Sequence, residues 1–227
     1  MEQTLLKLSI MLVPGLLAVV LHEVAHGWTA DRFGDPTARL LGRLTLNPLK
    51  HIDPIGLLML LLVGFGWARP VPVSVGNLRH PRRDMAWVAF SGPATNLLLA
   101  VLAAGLLRGL GLWAVALPAG GLLAPVLEPL TLMVAFALYI NLILALVNLL
   151  PLPPLDGGRV LAGLLPERAA ALLARVEPFG FMLVILVLFF TPIWRQVLLP
   201  VAGMLTAWLA GPQWPVVERT FSLLLRP

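Results

Sequence analysis

Long apolar runs alternate with short, polar, arginine-rich stretches along most of the chain. The three longest runs cover residues 5–28, 85–107 and 131–150. Each is long enough to cross a bilayer as a helix, which takes about 20 predominantly apolar residues. Two shorter runs, 179–190 and 193–210, are separated by Thr191 and Pro192 and form either one broken span or a hairpin. This pattern predicts an all-α polytopic membrane protein with about four to six transmembrane helices.

A shorter apolar run at residues 55–63 follows the first predicted helix. Runs of this length are more typical of re-entrant or interfacial segments than of spanning helices. A crossing here would also leave four arginines outside, against the positive-inside rule. These arginines are Arg69, Arg79, Arg82 and Arg83. We therefore expect a short re-entrant element after the first helix.

Valines alternate with other residues directly after this run, at Val71, Val73 and Val75. A period of two predicts a β-strand, and the neighbouring Pro70 and Pro72 confine such a strand to the edge of a sheet. An edge strand offers unpaired backbone groups to another extended chain. The segment is therefore a candidate surface for binding an extended peptide.

The loop after the first predicted helix is basic. It contains Arg32, Arg39, Arg43 and Lys50. By the positive-inside rule this loop faces the cytoplasm, so the C-terminal end of the first helix lies on that side. Residues 112–128 are apolar but interrupted by prolines and glycines, and we expect an outer, partly inserted connection there. Without a crossing at this point, the third helix ends on the cytoplasmic side of the cell membrane.

The composition agrees with a membrane protein. Of the 227 residues, 59% are hydrophobic and 12% are charged, whereas a soluble domain is about 25% charged. Residues 1–227 are expected to form a single domain, with a core at 5–165 and C-terminal helical segments at 179–211. The formal net charge of +5 comes from arginines between apolar runs, which indicates contact with anionic lipid and not with nucleic acid. Cysteine is absent, which excludes disulfides and thiolate metal ligands.

The sequence His-Glu-Val-Ala-His, residues 22–26, continues the first apolar run. Residues four apart share one face of a helix, so His22 and His26 can bind one metal ion, with Glu23 beside them as a general base. Ionisable groups are expensive inside a membrane, which favours a functional role over a satisfied structural histidine pair.

A catalytic zinc site takes three protein ligands and keeps one position for water. The candidates for the third ligand are His51, Asp53, His80 and Asp156. Asp156 stands out because it lies between a rigid proline run and Gly157-Gly158, at the end of the third span and on the same predicted side. The alternative is that Asp156 only caps the helix that follows. His51 is the strongest rival, but Asp53-Pro54 beside it is typical of a membrane-entry turn.

Polar and small residues also occur inside the second and third spans. Ser91, Gly92 and Pro93 predict close helix packing and a kink. Asn96 and Asn148 are less easily explained as packing residues, because a buried amide requires hydrogen-bond partners.

Three motifs occur together in order: HEVAH in the first span, SGPATN in the second and NLLPLPPLDGG at the end of the third. Together they resemble the site-2 protease family of intramembrane zinc metalloproteases, also called peptidase family M50, over roughly residues 5–165. The chain is similar to the compact prokaryotic branch, because it has no PDZ insertion between the second and third spans.

The resemblance implies one Zn²⁺ per chain, bound by His22, His26 and Asp156, with Glu23 as the catalytic base. It implies a transmembrane protein or peptide as substrate, unwound into an extended strand and cut within or near its membrane segment, as in regulated intramembrane proteolysis. It also places Asn96 and Asn148 near the site as substrate-binding residues. Two other classes stay open: a metal-binding transporter, which would often show paired repeats, and a non-catalytic membrane scaffold, which would be expected to lose Glu23 or a ligand.

Overall fold

The structure is a computed structural model that describes residues 2–63, 66–116 and 123–225. The described residues fold almost entirely into helices and contain no β-sheet. The α-helices are α1 (Glu2–Arg32), α2 (Thr37–Leu40), α3 (Pro54–Val63), α4 (Pro81–Ala116), α5 (Ala124–Asn148), α6 (Asp156–Leu164), α7 (Glu167–Val176), α8 (Gly180–Phe190), α9 (Leu199–Ala210) and α10 (Trp214–Leu225). The predicted all-α class is confirmed.

Four helical segments of the described chain are long and apolar enough to cross a membrane. They cover Leu5–Arg32, Pro81–Leu112, Pro125–Asn148 and Glu167–Leu188. The last one joins α7 and α8 through a short 3₁₀ turn. The count lies within the predicted four to six, and the protein is a multi-pass membrane protein. Thr191 adopts an extended backbone after α8, so α8 and α9 are two separate helices.

Helices α1, α4 and α5 pack together and form the centre of the bundle. Small residues on α4, such as Ala100 and Ala104, let it approach Leu138 and Leu142 of α5 closely. The apolar side chain of Val217 on α10 is also fully buried against this cluster. The 36 residues of α4 rise by about 54 Å at 1.5 Å per residue, so the helix is longer than the hydrocarbon core of a bilayer, about 30 Å.

The element after the first helix differs from the prediction. The apolar run at 55–63 is the ten-residue helix α3, which is not among the four membrane-length helices, and re-entry of this helix stays a prediction. The predicted β-strand at 71–75 does not form in the described chain. Its residues run without regular structure into a 3₁₀ turn, Val75–Asn77, and the described β-pairing is one isolated bridge between Ile52 and Ala68.

The hydrogen bonds of this segment explain the difference. Pro70 and Pro72 have no backbone N–H to donate to a strand partner. The N–H of Val71 donates to the Glu23 carboxylate at 2.8 Å, and the N–H of Ser74 donates to the Asp35 carboxylate at 2.6 Å. Side chains of α1 and the turn after it therefore take the place of a neighbouring strand. The predicted outer connection at 112–128 is helical at both ends, because α4 extends to Ala116 and α5 begins at Ala124. Residues 117–122 lie outside the described residues.

Candidate metal centre

Two histidines and an aspartate meet inside the helical bundle. His22 and His26 lie one turn apart on α1 and are 7% and 9% exposed. Asp156 is the first residue of α6 and is 6% exposed. Within the part of the chain that the structure describes, these three form the one cluster of histidine and carboxylate side chains suited to holding a metal ion.

The three nearest ligand atoms form a compact triangle. His22 Nε2 lies 3.0 Å from His26 Nε2 and 3.0 Å from Asp156 Oδ2, and His26 Nε2 lies 3.3 Å from Asp156 Oδ2. Tetrahedral zinc with bonds of about 2.0–2.1 Å separates its ligand atoms by about 3.3 Å. Asp156 Oδ2 is buried and accepts no regular hydrogen bond, which is costly unless a cation completes it. The donor set and its spacing fit zinc.

The charge state of Asp156 also suits a metal ligand. Burial disfavours the ionised carboxylate, but the imidazoles of His22 and His26 beside it outweigh burial and hold the pKa of Asp156 well below its usual range. The N-cap position of α6 is occupied by Leu155. Asp156 is therefore not the N-cap residue, which was the alternative role that the sequence allowed for it.

The other nitrogen of each imidazole is held by the protein. His22 Nδ1 lies 2.6 Å from Asn96 Oδ1, and His26 Nδ1 lies 2.7 Å from the carbonyl oxygen of Val88. Both partners are acceptors, so each Nδ1 carries the proton and donates. The Nε2 lone pairs are therefore left free and point into the triangle, as a metal requires.

Asn96 is fixed by a further amide that the sequence did not single out as a site residue. Asn96 is fully buried, and its Nδ2 donates to the Asn141 Oδ1 at 2.8 Å and to the carbonyl of Ala18 at 3.2 Å. Asn141 is held in turn by donation to the carbonyl of Ala137. This series of hydrogen bonds across α1, α4 and α5 orients His22. An asparagine in the middle of a membrane-length run was the available signal for Asn141.

Glycines allow the helices to approach the site. A Cβ on Gly92 would lie 2.5 Å from the His26 ring and 2.6 Å from the His22 ring, so α4 can pack on both imidazoles only with glycine there. Gly157 and Gly158 are helical, and a Cβ on either would collide with the backbone of residues 149–153. Their role is close approach of α6 to the preceding turn, which places Asp156.

Glu23 lies beside the metal ligands, half-buried, on the same helix. Its Oε2 accepts the hydrogen bond from the Val71 N–H. The Val71 side chain is buried, and a Cβ added to Gly27, one turn further along α1, would lie 2.7 Å from it. The extended segment at 69–74 is therefore packed directly over the face of α1 that carries Glu23.

The remaining candidates lie elsewhere. His51 Nε2 donates to the carbonyl of Thr45, and Asp53 Oδ1 accepts from the first N–H groups of α3. His80 is exposed. Asn148, at the last turn of α5, donates to the carbonyl of Leu144 at 3.0 Å. The structure thus brings together His22, His26, Asp156 and Asn96, and leaves His51, Asp53 and His80 outside the cluster.

Comparison with known proteins identifies the family of the chain. Residues 123–191 match the family model described as Peptidase family M50. The chain is 43% identical over 187 residues to "Putative zinc metalloprotease YwhC" of Bacillus subtilis (strain 168), covering 82% of each protein. It is 37% identical over 183 residues to "Putative zinc metalloprotease Rip2" of Mycolicibacterium smegmatis, covering 78% of this chain and 65% of that protein. No solved structure matches the chain.

Proposed function

Because the chain belongs to peptidase family M50, the site-2 protease family of zinc metalloproteases, we propose that it cleaves peptide bonds within or near the transmembrane segments of membrane protein substrates. The observation that carries this proposal is the burial of His22, His26 and Asp156 at a membrane-length helix. A metalloprotease site in this position meets substrates at the membrane, not in bulk water. The function is that of regulated intramembrane proteolysis.

His22, His26 and Asp156 would hold one zinc ion per chain. When bound, zinc lowers the pKa of a coordinated water to about 7 and polarises the carbonyl to be cleaved. Asn96 and the Val88 carbonyl hold the two imidazoles in the orientation and tautomer that this requires. For Asn96 the contacts therefore favour positioning of His22 over direct substrate binding.

Glu23 is proposed as the general base. Its carboxylate takes a proton from the attacking water and delivers it to the leaving amine of the substrate. The Val71 N–H holds one carboxylate oxygen, which orients Glu23 and leaves the second oxygen for the water. The same contact ties the base to the extended segment, so the base and the proposed peptide-binding surface are positioned together.

The substrate must be extended before it can be cut, because a helix hides its peptide bonds in its own hydrogen bonds. Non-helical backbone at membrane depth is tolerated only inside protein or a wet cavity. Residues 71–75 lie next to Glu23, and the backbone groups among them that Glu23 and Asp35 do not hold are proposed to pair with the substrate by β-augmentation. Asn148, the last residue of α5, is proposed to hold the substrate backbone with its side-chain amide.

We also propose that the site faces the cytoplasmic side of the cell membrane. The basic residues of 31–53 and 79–83 flank the C-terminal end of α1 and the start of α4, which supports this orientation. A single cysteine at Arg82 tests it cleanly, since the chain has no native thiol. Labelling from the cytoplasmic side is expected, and labelling only from outside would overturn the orientation.

The proteolytic function is tested by mapping new protein N-termini in membranes that contain the wild type or Glu23→Gln. We expect new termini inside predicted transmembrane segments of other proteins only with the wild type. If the two membranes give the same termini although the wild type carries zinc, cleavage of membrane segments is not its function.

A further inference from the structure

A basic pocket opens at the surface beside the extended segment. Its volume is about 650 Å³, and it is lined by Arg43, Lys50 and Arg69 together with Leu41, Leu49 and two prolines. No acidic side chain contributes to its wall. The cluster is distinct from the proposed zinc ligands, and the proteolytic mechanism gives it no role.

The positive charge of this pocket is only partly offset by the protein, through the more distant Glu23 carboxylate. None of its three cations forms an ion pair within the described residues. Arg43 uses Nη2 to donate to the carbonyls of Arg69 and Pro70, and its Nε is buried without a hydrogen-bond partner. Burial, and then the charge of Arg69, lower the pKa of Arg43, and the Glu23 carboxylate acts in the opposite direction without reversing the shift. An anion in the pocket would relieve the repulsion between Arg43 and Arg69.

Exposed leucines lie on the same stretch of chain as Arg43 and Lys50, and Leu41 and Leu49 also line the pocket. Leu40, Leu41, Leu46 and Leu49 are 75%, 60%, 60% and 76% exposed. They lie in α2 and in the segment between α2 and α3, which follows the end of the membrane-length part of α1. Exposed leucines interleaved with cations are typical of a surface that meets acyl chains and anionic head groups.

We propose that this pocket binds the phosphate of an anionic phospholipid, whose acyl chains lie against the exposed leucines. A soluble phosphate or an acidic peptide would match the cations but would leave the leucines in water. The combination of both features selects the lipid.

The position of the pocket links lipid binding to the extended segment. Arg43 holds the carbonyls of Arg69 and Pro70, and the next residue, Val71, donates to Glu23. A phosphate on Arg43 and Arg69 would therefore stabilise the segment that contacts Glu23. The binding itself does not depend on proteolysis and can be measured without a substrate.

The test is native mass spectrometry of the full chain in detergent with phosphatidylglycerol or phosphatidylcholine added at equal concentration. We expect preferential retention of phosphatidylglycerol by the wild type. The triple variant Arg43→Gln/Lys50→Gln/Arg69→Gln should lose this retention by on the order of 10-fold or more, since each cation near a membrane surface contributes to anionic lipid binding. The matched control is Arg83→Gln/Arg168→Gln/Arg175→Gln, which removes the same charge from exposed positions on α4 and α7 and should retain the lipid.

Two further arms keep the result decisive. Lys50→Gln alone changes an exposed side chain and should weaken retention even if the triple variant does not fold. Glycerol 3-phosphate or a soluble acidic peptide should not displace the lipid at equal concentration. Equal retention of the two lipids, equal loss in the control variant, or displacement by the soluble anions would overturn the proposal.

Discussion

The Nδ1 of His22 on α1 donates to the Oδ1 of Asn96 on α4 at 2.6 Å, and this bond connects two membrane-length helices at the proposed zinc site. Because Asn96 is fully buried and its amide nitrogen is held by Asn141, the oxygen can face only His22. The orientation of a proposed zinc ligand is thus determined by helix packing in the bundle.

Asn96→Leu should weaken zinc binding by about 10- to 100-fold, because partners of this kind contribute that much to metal affinity. The measurement is competition for zinc against a chelator by the purified protein in detergent. Asn141→Leu should cause a smaller loss, since it frees Asn96 without removing the acceptor. If Asn96→Leu binds zinc as tightly as the wild type, the bond does not position His22.

Gly92→Ala should also reduce zinc binding, because the added methyl would lie 2.5 Å from the His26 ring and must displace one or both imidazoles. Gly105→Ala is a matched control on the same helix, where an added Cβ meets nothing within 4 Å. The control should keep its zinc and its melting temperature. Equal zinc content in the two variants would show that the imidazoles tolerate the displacement.

Glu23→Gln should keep zinc and abolish cleavage of membrane protein substrates. Glutamine can still accept from the Val71 N–H but cannot take a proton from water. Zinc content and the N-termini generated in membranes are measured on the same preparation. Near-normal cleavage by this variant would exclude Glu23 as the base.

Asp35 anchors the extended segment to the end of α1. It is fully buried and accepts from Thr37, Ser74 and Asn77. Burial raises the pKa of Asp35, but these hydrogen bonds lower it by more than burial raises it, so the net pKa is below its ordinary value. The ionised Asp35 carboxylate therefore stabilises the folded protein above the unfolded pKa, near 4, and this contribution is lost as the pH falls through the folded pKa.

Asp35→Ala should therefore destabilise the protein by about 3 kcal/mol at neutral pH, because it removes the charged acceptor of several partly buried hydrogen bonds. Asp31→Ala is the control, since it removes an ion pair with an Arg39 side chain that is 61% exposed and should change stability by less than about 1 kcal/mol. Thermal unfolding in detergent compares the two. A similar, small shift in both variants would mean that Asp35 does not anchor the segment.

Local sequence patterns were sufficient for three membrane-length helices and for two of the three proposed metal ligands. The spacing of His22 and His26 fixes both on one helix face whatever the rest of the fold, and the three longest apolar runs predict three of the four membrane-length helices. The fourth, Glu167–Leu188, begins before the apolar run at 179–190 and was not predicted. Asp156 could be ranked first among the candidates from the rigid prolines and glycines around it, but its approach to both imidazoles is a property of α6 packing on the turn at 149–153.

The contacts that the sequence did not reveal join residues far apart in the chain. Asn96 and Asn141 are 45 positions apart, and Glu23 and Val71 are 48 positions apart, so no periodicity reports either pair. The Glu23 contact also explains why the alternating valines did not become a strand. Alternation indicates an extended backbone, but it does not indicate whether another strand or a side chain accepts its hydrogen bonds.

The central claim is that His22, His26 and Asp156 bind zinc, and the most direct measurement is the zinc content of folded, purified variants. We predict one zinc per wild-type chain, loss of zinc in His22→Ala and Asp156→Ala, and full retention in His51→Ala, whose imidazole is bonded to Thr45 instead. Matched elution volume and helix content exclude unfolding as the cause of any loss. The account would be contradicted if Asp156→Ala bound one zinc at wild-type affinity while His51→Ala bound none, because the site would then consist of three histidines.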